Sequence, residues 1–373
     1  MKWGMNMKIL IMTGKFGMGH FSAAHSLKKQ VQKANPQAEV VILDLFEYVF
    51  PTCSDGVYQA FGLMVTHCSG AYNSYYNRME KKGPDLRPAF LPYFLKKMKQ
   101  LLGEEKPDAV LSTLPLCSQI MSWYKSRTGS RIPLITCITD ISSHSEWINA
   151  NTDCYLVPSR TVKSGLVKKG VDGRRICVYG IPVRPEFDEG EKSTAKNSGA
   201  KQILIMGGGL GILPENPGFY EELNACGHMK VTVITGKNKE IYNKLHGRYE
   251  NIQVIGYTDE VYRYMQEADV VISKPGGITL FETIHSGTPI LVFEPFLQQE
   301  INNTGFIIRN GIGIILKKNP EVCVREIDQI MKDDNLLNSM KRNVKQLKQQ
   351  YDQGIINHVL SCLGCNNEEA CVV

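Results

Sequence analysis

Ile272-Ser273-Lys274-Pro275-Gly276-Gly277-Ile278-Thr279-Leu280-Phe281-Glu282 decides the fold class. It follows an apolar strand, Asp269-Val270-Val271-Ile272, turns at Pro275-Gly276-Gly277, and continues as a helix carrying Leu280 and Ile284 before a stop at Gly287. A strand, a glycine turn and a helix start make an anion site. The first amides of a helix lack internal partners and sit at the positive end of its dipole, and glycines let a phosphate approach them. Thr279 adds a hydroxyl. Glu282, about one turn in, can accept hydrogen bonds from two neighbouring ribose hydroxyls. The same pattern also serves as a plain turn in many α/β proteins. Gln298, Gln299 and Glu300 argue for a ligand: they follow the strand Pro289–Phe293 at its carboxyl end, where parallel sheets place ligands, and three long polar side chains suit sugar hydroxyls.

The same unit repeats along the chain. Gln202–Met206 runs into Gly207-Gly208-Gly209-Leu210-Gly211, and further strands read at 231–235 and 252–255, the latter followed by Gly256 and Tyr257. Upstream, the strand Lys8–Thr13 leads through Gly14-Lys15-Phe16-Gly17-Met18-Gly19-His20 into an amphipathic helix from about Ser22 to Lys33. A dinucleotide fingerprint needs glycine where Ser22 stands, and a P-loop needs Gly-Lys-Ser or Gly-Lys-Thr, which is absent. The loop offers His20 instead, with Gly19 leaving room beside it; a lone histidine is more often structural than catalytic. Strands follow at 39–44, 109–112, 134–138 and 154–157, with helices near 116–128 and 159–169. After the fourth strand stand Asp140, His144 and Trp147, either a site or a loop in which Trp147 packs and Asp140 caps a turn.

This alternation predicts an α/β protein of two doubly wound, Rossmann-like domains facing a cleft, with both glycine loops at strand carboxyl ends. The first domain is expected over 1–183, a polar, turn-rich linker over 184–200 and the second domain over 201–345. A C-terminal helix and tail, 346–373, crosses back to the first domain.

A length of 373 residues with 43% apolar content suffices for two cores. No apolar run reaches a membrane span, and the N-terminus lacks a signal peptide's apolar region, so the expected place is the cytosol. Eleven scattered cysteines fit a reduced interior. Cys362-x-x-Cys365 has no second pair at finger spacing, so no metal site is expected. The net charge of +6 is unevenly spread: residues 1–182 hold 23 Lys or Arg against 13 Asp or Glu, and residues 183–373 hold 20 against 24. A first half at +10 suits an anionic partner. Between Phe46 and Phe94 eleven aromatics alternate with cations such as Arg78, Lys81, Lys96, Lys97 and Lys99. About half fit as helix cores. The rest match a membrane-surface segment, and single-stranded nucleic acid could use the same mixture.

Taken together, Gly17-Met18-Gly19-His20 after Thr13, Thr139-Asp140 with His144 and Trp147, Gly180-Ile181-Pro182-Val183-Arg184-Pro185, Lys274-Pro275-Gly276-Gly277-Ile278-Thr279, and Gln299-Glu300-x-x-Asn303 resemble the processive diacylglycerol glucosyltransferases and monogalactosyldiacylglycerol synthases. The resemblance covers roughly residues 7 to 350. It implies the glycosyltransferase B fold and an inverting, metal-independent transfer of a hexose, glucose favoured, from a UDP-sugar to diacylglycerol or a glycosyl-diacylglycerol. The partners implied are a UDP-hexose, a diacylglycerol-type lipid and an anionic membrane surface on the inner face of the cell membrane, without nucleic acid. His20 falls on the family's histidine and Gln299-Glu300 on its sugar-holding pair, with Asp140 as second candidate base or partner of His20. Tyr257 beside Gly256 would cover the uracil. The loop Gly207-Gly208-Gly209, Gly276, Gly277 and Thr279 would hold the phosphates, Glu282 the ribose, and Gln298 and Asn303 complete the set. The chain departs from the family at Met18, where Asn is usual, and at Gln298, where Gly is usual. Three other readings remain open: a transferase of this fold with another lipid or a soluble acceptor, an NAD-dependent oxidoreductase, and a non-enzymatic nucleotide-sugar-binding protein.

Overall fold

The computed structural model describes residues 7–16, 18–189, 199–208, 211, 213–295, 297–352 and 354–364. The chain divides into two compact units, Met1–Arg184 with Tyr351–Val373, and Pro185–Gln350.

The first unit is built on a six-stranded parallel sheet ordered β2-β1-β3-β4-β5-β6. Its strands are β1 (Lys8–Thr13), β2 (Glu39–Asp44), β3 (Ala109–Ser112), β4 (Leu134–Cys137), β5 (Cys154–Val157) and β6 (Ile176–Val178). Successive strand residues point to opposite faces, and both faces are covered, which is why the strands are unbroken apolar runs. Ile9 and Ile11 pack with Ala24, Leu27 and Val31 of α1 (Gly19–Ala34) and with Ile356, Val359 and Leu360 of the C-terminal helix. Leu10 and Met12 face the opposite layer, with Phe94, Met98 and Leu101 of α5 (Leu91–Glu105) and Ile120 and Met121 of α6 (Pro115–Thr128). Between β2 and α5 lie α2 (Leu45–Val49), α3 (Ser54–His67) and α4 (Ser69–Lys82). A chain of ring contacts holds α3 and α4 to the first glycine loop: Phe16 meets Phe61 at 4.9 Å, Phe61 meets Tyr72 at 6.0 Å and Tyr72 meets Tyr76 at 6.3 Å. Helix α7 (Arg160–Lys168) follows β5.

The second unit has a six-stranded parallel sheet ordered β12-β11-β10-β7-β8-β9. Its strands are β7 (Lys201–Met206), β8 (Met229–Ile234), β9 (Ile252–Ile255), β10 (Val270–Ser273), β11 (Ile290–Phe293) and β12 (Gly313–Leu316). The winding direction reverses between β7 and β10, which makes their carboxyl ends the switch point of the sheet. One face packs against Phe219 and Leu223 of α9 (Pro217–Ala225) and Val324, Ile327 and Met331 of α14 (Pro320–Lys332). Helices α8 (Glu186–Glu189), α10 (Lys239–Leu245), α11 (Val261–Glu267), α12 (Gly277–Ser286), α13 (Gln298–Arg309) and α15 (Asp334–Lys348) complete the unit.

Each sheet has one edge strand more than the sequence pattern predicts. β6 has three residues and β12 opens on a glycine, so neither forms a run long enough to register as a strand by periodicity. The C-terminal helix expected over 346–373 is α16 (Ile355–Gly364), which starts after a break from α15, ended at Lys348, and packs on α1 in the first unit. The segment expected as linker begins with an ordered turn. Phe187 is buried against Tyr262, and Asp188 meets His285 at 2.9 Å and Lys348 at 2.9 Å. Residues 190–198 of that segment lie outside the described residues, as do Gly209, Cys365 and Cys371.

Candidate functional site

The candidate residues fall into two constellations, one in each unit. In the first, His20 is the second residue of α1, and Gly19 is its first. Met18, the N-cap, sits in the left-handed region at φ 62°, a conformation that Asn tolerates far better than Met. His20 Nδ1 lies 2.7 Å from the carbonyl oxygen of Thr113 and 2.8 Å from Thr139 Oγ1. A carbonyl oxygen only accepts, so the proton resides on Nδ1 and the lone pair of the neutral ring is on Nε2. Burial lowers the pKa of His20 to about 4, partly offset by the bond to Thr113, so the ring is neutral at pH 7 and able to accept a proton.

Asp140 is buried, and its carboxylate accepts from Ser142 Oγ at 3.1 Å and from the side chain of Trp147. Burial raises its pKa to about 6, against the lowering effect of those bonds. Trp147 is fully buried in a short 3₁₀ turn, Ser145–Trp147, with its ring 6.1 Å from that of His20. It thus links the two candidate bases. His144 stacks on Tyr76 at 3.8 Å and its Nε2 donates to the Tyr76 carbonyl, which ties α4 to this loop. Its part is packing.

In the second unit, β10 runs into Lys274-Pro275-Gly276-Gly277, with Gly276 as N-cap and Gly277 as first residue of α12. A glycine N-cap has no side chain with which to cap this helix start, which leaves room for an anion at its first amides. Gly208, after the neighbouring strand β7, has φ +63°, and a Cβ there would stand 3.4 Å from Lys274 Cε. Gly207 precedes it, so the two glycine loops meet at the switch point of the sheet. Thr279 is buried in the first turn of α12, and Glu282 is half-buried one turn further on. Gly256 and Tyr257 follow β9; Tyr257 is exposed, and its hydroxyl donates to Asp259 at 2.8 Å.

Gln298, Gln299 and Glu300 form the first turn of α13. Gln298 and Gln299 are half-buried, whereas Glu300 is buried with one oxygen 3.6 Å from Lys274 Nζ. Its other oxygen, Oε2, has no hydrogen-bond partner among the described residues. A buried carboxylate oxygen left unpaired is costly and marks a position where a ligand hydroxyl would be bound. Asn303, one turn on, donates to the Pro275 carbonyl at 2.8 Å and so fixes α13 against the glycine turn. Glu300 and Lys274 also line a cavity of about 310 Å³ that reaches to Phe219, Phe293 and Lys317.

Sequence reasoning missed Thr113. Its carbonyl meets the His20 ring and its hydroxyl lies 2.9 Å from the His20 carbonyl, yet it is separated from His20 by 93 positions. Only the pairing of β1 with β3 brings them together. A threonine just past a strand was the available signal.

Residues 20–183 match the family described as monogalactosyldiacylglycerol (MGDG) synthase, and residues 203–355 match the glycosyltransferase family 28 C-terminal domain. Among curated proteins, the processive diacylglycerol beta-glucosyltransferase of Bacillus subtilis (strain 168) is 28% identical over 355 residues, covering 92% of this chain and 91% of the relative. Among solved structures, a putative UDP-N-acetylglucosamine 2-epimerase from Listeria monocytogenes superposes with a TM-score of 0.60 at 14% identity, covering 97% of this chain and 96% of that one. The calicheamicin glycosyltransferase CalG4 superposes with a TM-score of 0.63 at 12% identity, over 97% of this chain and 99% of its own. The architecture is therefore the two-domain glycosyltransferase B fold. Because an epimerase shares it, the fold leaves the reaction open, and the sequence relatives decide between them. A region that matches the monogalactosyldiacylglycerol synthase family followed by one that matches the family 28 C-terminal domain, with processive diacylglycerol beta-glucosyltransferases as relatives over 92% of the chain, marks this protein as a UDP-sugar-dependent glycosyltransferase.

Proposed function

We propose that this enzyme moves a hexose, glucose by preference, from a UDP-sugar to the hydroxyl of diacylglycerol or a glycosyl-diacylglycerol, with inversion to a β-glycoside. The acceptor oxygen forms a bond to the anomeric carbon, the bond from that carbon to the β-phosphate oxygen breaks, UDP leaves, and the acceptor proton passes to His20 Nε2. The observation that carries the reading is the state of His20: a neutral imidazole with its proton held on Nδ1 by acceptors, which leaves a basic nitrogen for an acceptor hydroxyl.

The second unit supplies the donor's contacts. The uncapped start of α12 at Gly276 and Gly277, helped by Thr279 and the Gly207-Gly208 loop, stabilises the charge developing on UDP, and one such donor is worth roughly 3 kcal/mol. On this reading no metal is needed. Glu282 holds the ribose, Tyr257 covers the uracil, and Gln298, Gln299 and Glu300 hold the hexose, with Glu300 Oε2 accepting from a sugar hydroxyl. Asp140 acts as partner to His20 through Trp147.

The acceptor is a lipid, which calls for a membrane surface, and we place the enzyme peripherally on the inner face of the cell membrane. No helix among the described residues is long and apolar enough to cross a membrane. The support lies in the first unit, where Val57, Leu63, Tyr75, Phe90 and Tyr93 are exposed on or beside α3, α4 and α5, the last two close in sequence to the exposed Lys96 and Lys99.

The test is UDP release from UDP-glucose, UDP-galactose and UDP-N-acetylglucosamine over vesicles with and without diacylglycerol, each with and without EDTA. The expected result is release that requires diacylglycerol, is fastest with UDP-glucose and is unaffected by EDTA. UDP binding without release from any donor would point to a nucleotide-sugar-binding protein instead.

A further inference from the structure

Two threonines bond to His20 and a third bonds to one of them, and each comes from the carboxyl end of a different strand. Thr13 closes β1, Thr113 follows β3 and Thr139 stands two residues past β4, three strands that are neighbours in the sheet. All three are buried. The Thr113 hydroxyl lies 2.8 Å from Thr13 Oγ1 and 2.9 Å from the His20 carbonyl. Thr113 is the donor in both contacts, so its one proton is shared between Thr13 Oγ1 and a bond to the His20 carbonyl. The backbone of His20 is pinned by that bond, while its ring is pinned at Nδ1 by the Thr113 carbonyl and by Thr139 Oγ1. No carboxylate takes part in these contacts.

From this arrangement we infer that Thr113 and Thr139 are positioning residues that hold His20 in its Nδ1–H tautomer and aim Nε2 at the acceptor hydroxyl. The inference deepens the proposed function, since it rests on His20 as the base. Its chemical logic is that neutral oxygens fix the ring's orientation without the charge of a carboxylate. A carboxylate on Nδ1–H would favour the imidazolium and raise the pKa of the ring. Neutral acceptors leave the imidazole uncharged at rest, ready to take a proton at neutral pH. Because the Thr113 contact to the ring is a backbone carbonyl, side-chain substitution there removes only the pin on the His20 backbone. Thr139 is the position at which the ring's side-chain partner can be removed.

Thr139→Val keeps the shape of the side chain and removes the oxygen; Thr139→Ser restores it. Expected is a fall in kcat by roughly ten- to a hundredfold for Thr139→Val with KM for the UDP-sugar unchanged, and recovery to within a few-fold of wild type for Thr139→Ser. Long-range ¹H–¹⁵N spectra of the unliganded protein should show His20 with its proton on Nδ1, whatever the enzyme's activity. His20 found with its proton on Nε2 would overturn the inference, as would a Thr139→Val variant with normal kcat. Failure of the underlying reading would look different: His20→Ala would then keep its turnover while the spectra still showed the Nδ1–H form.

Discussion

At the scale of the residue, the geometry separates a base from a ligand. Among the described residues the His20 ring bonds to Thr113 and Thr139 of its own unit, and His20→Ala should lower turnover by roughly 10²–10⁴-fold, the usual range for a positioned base, with UDP-sugar affinity by calorimetry unchanged. Loss of donor binding would instead make it a phosphate ligand. Beside it, Met18 carries a backbone conformation unsuited to its side chain. Asn is at home there, which gives a physical reason for the family's usual residue. Met18→Asn should stabilise the protein by about 1 kcal/mol, read as a higher midpoint in urea. Asp140 supplies a pH test. A carboxyl whose folded pKa is raised, here to about 6, stabilises the fold below its unfolded value near 4, and that contribution is lost as pH rises through 6. Asp140→Asn has no such term, so relative to wild type it should gain about 1 kcal/mol between pH 5 and pH 8 in paired denaturation curves. The half-buried His20, with its pKa lowered to about 4, works in the opposite direction in both proteins and cancels in the comparison.

At the scale of the element, Gly313 shows why β12 opens on a glycine. A Cβ there would lie 1.8 Å from the carbonyl oxygen of Ile290, its partner in the parallel ladder with β11. Gly313→Ala should therefore push the edge strand away and destabilise the protein by roughly 1–3 kcal/mol, measurable by thermal melting and as faster amide exchange in β12. The same glycine hid the strand from sequence reading. Ten of the twelve strands show as apolar runs such as Lys8–Thr13 and Ile290–Phe293, because sheets covered on both faces demand continuous hydrophobicity. β6 and β12 are short edge strands and leave almost no pattern. The glycine turn at Gly276 and Gly277 was legible because a strand end, a turn and a helix start are written in local sequence. Of what surrounds His20, Thr139 and Trp147 were legible as a motif, but Thr113 was not, since it meets them only through strand pairing. Likewise the aromatics between Phe46 and Phe94 are indistinguishable by type. Folding buries Tyr76 and Phe94 and leaves Tyr75, Phe90 and Tyr93 outside.

At the scale of the whole molecule, the charge is unevenly distributed between the two halves of the chain. The half of the chain that carries His20 has a balance of +10 and the other half has −4, so an anionic surface, where the proposed lipid acceptor would lie, would attract the first half. Helix α3 sharpens this. It is rich in apolar residues, yet Val57 is 37% and Leu63 is 61% exposed, and at the start of α5 Phe90 is 78% exposed. Rings and aliphatic side chains of this kind enter the headgroup layer, while cations beside them stay at the phosphates. On α5, Lys96 and Lys99 are exposed and Lys97 lies over the ring of Tyr48 at 5.8 Å. Each cation near an anionic surface contributes about 1 kcal/mol at low salt, and the contribution fades once the Debye length shrinks below the separation. Replacing Lys96, Lys97 and Lys99 together by Gln should therefore weaken sedimentation with vesicles containing anionic lipid by roughly ten- to a hundredfold. UDP binding, which draws on the other unit, should be unchanged. Added salt should weaken the wild type more than the variant. Vesicle binding indifferent to both salt and these substitutions would place the membrane contact on the apolar side chains alone, and Leu63→Ser with Phe90→Ser would then be the variant that abolishes it.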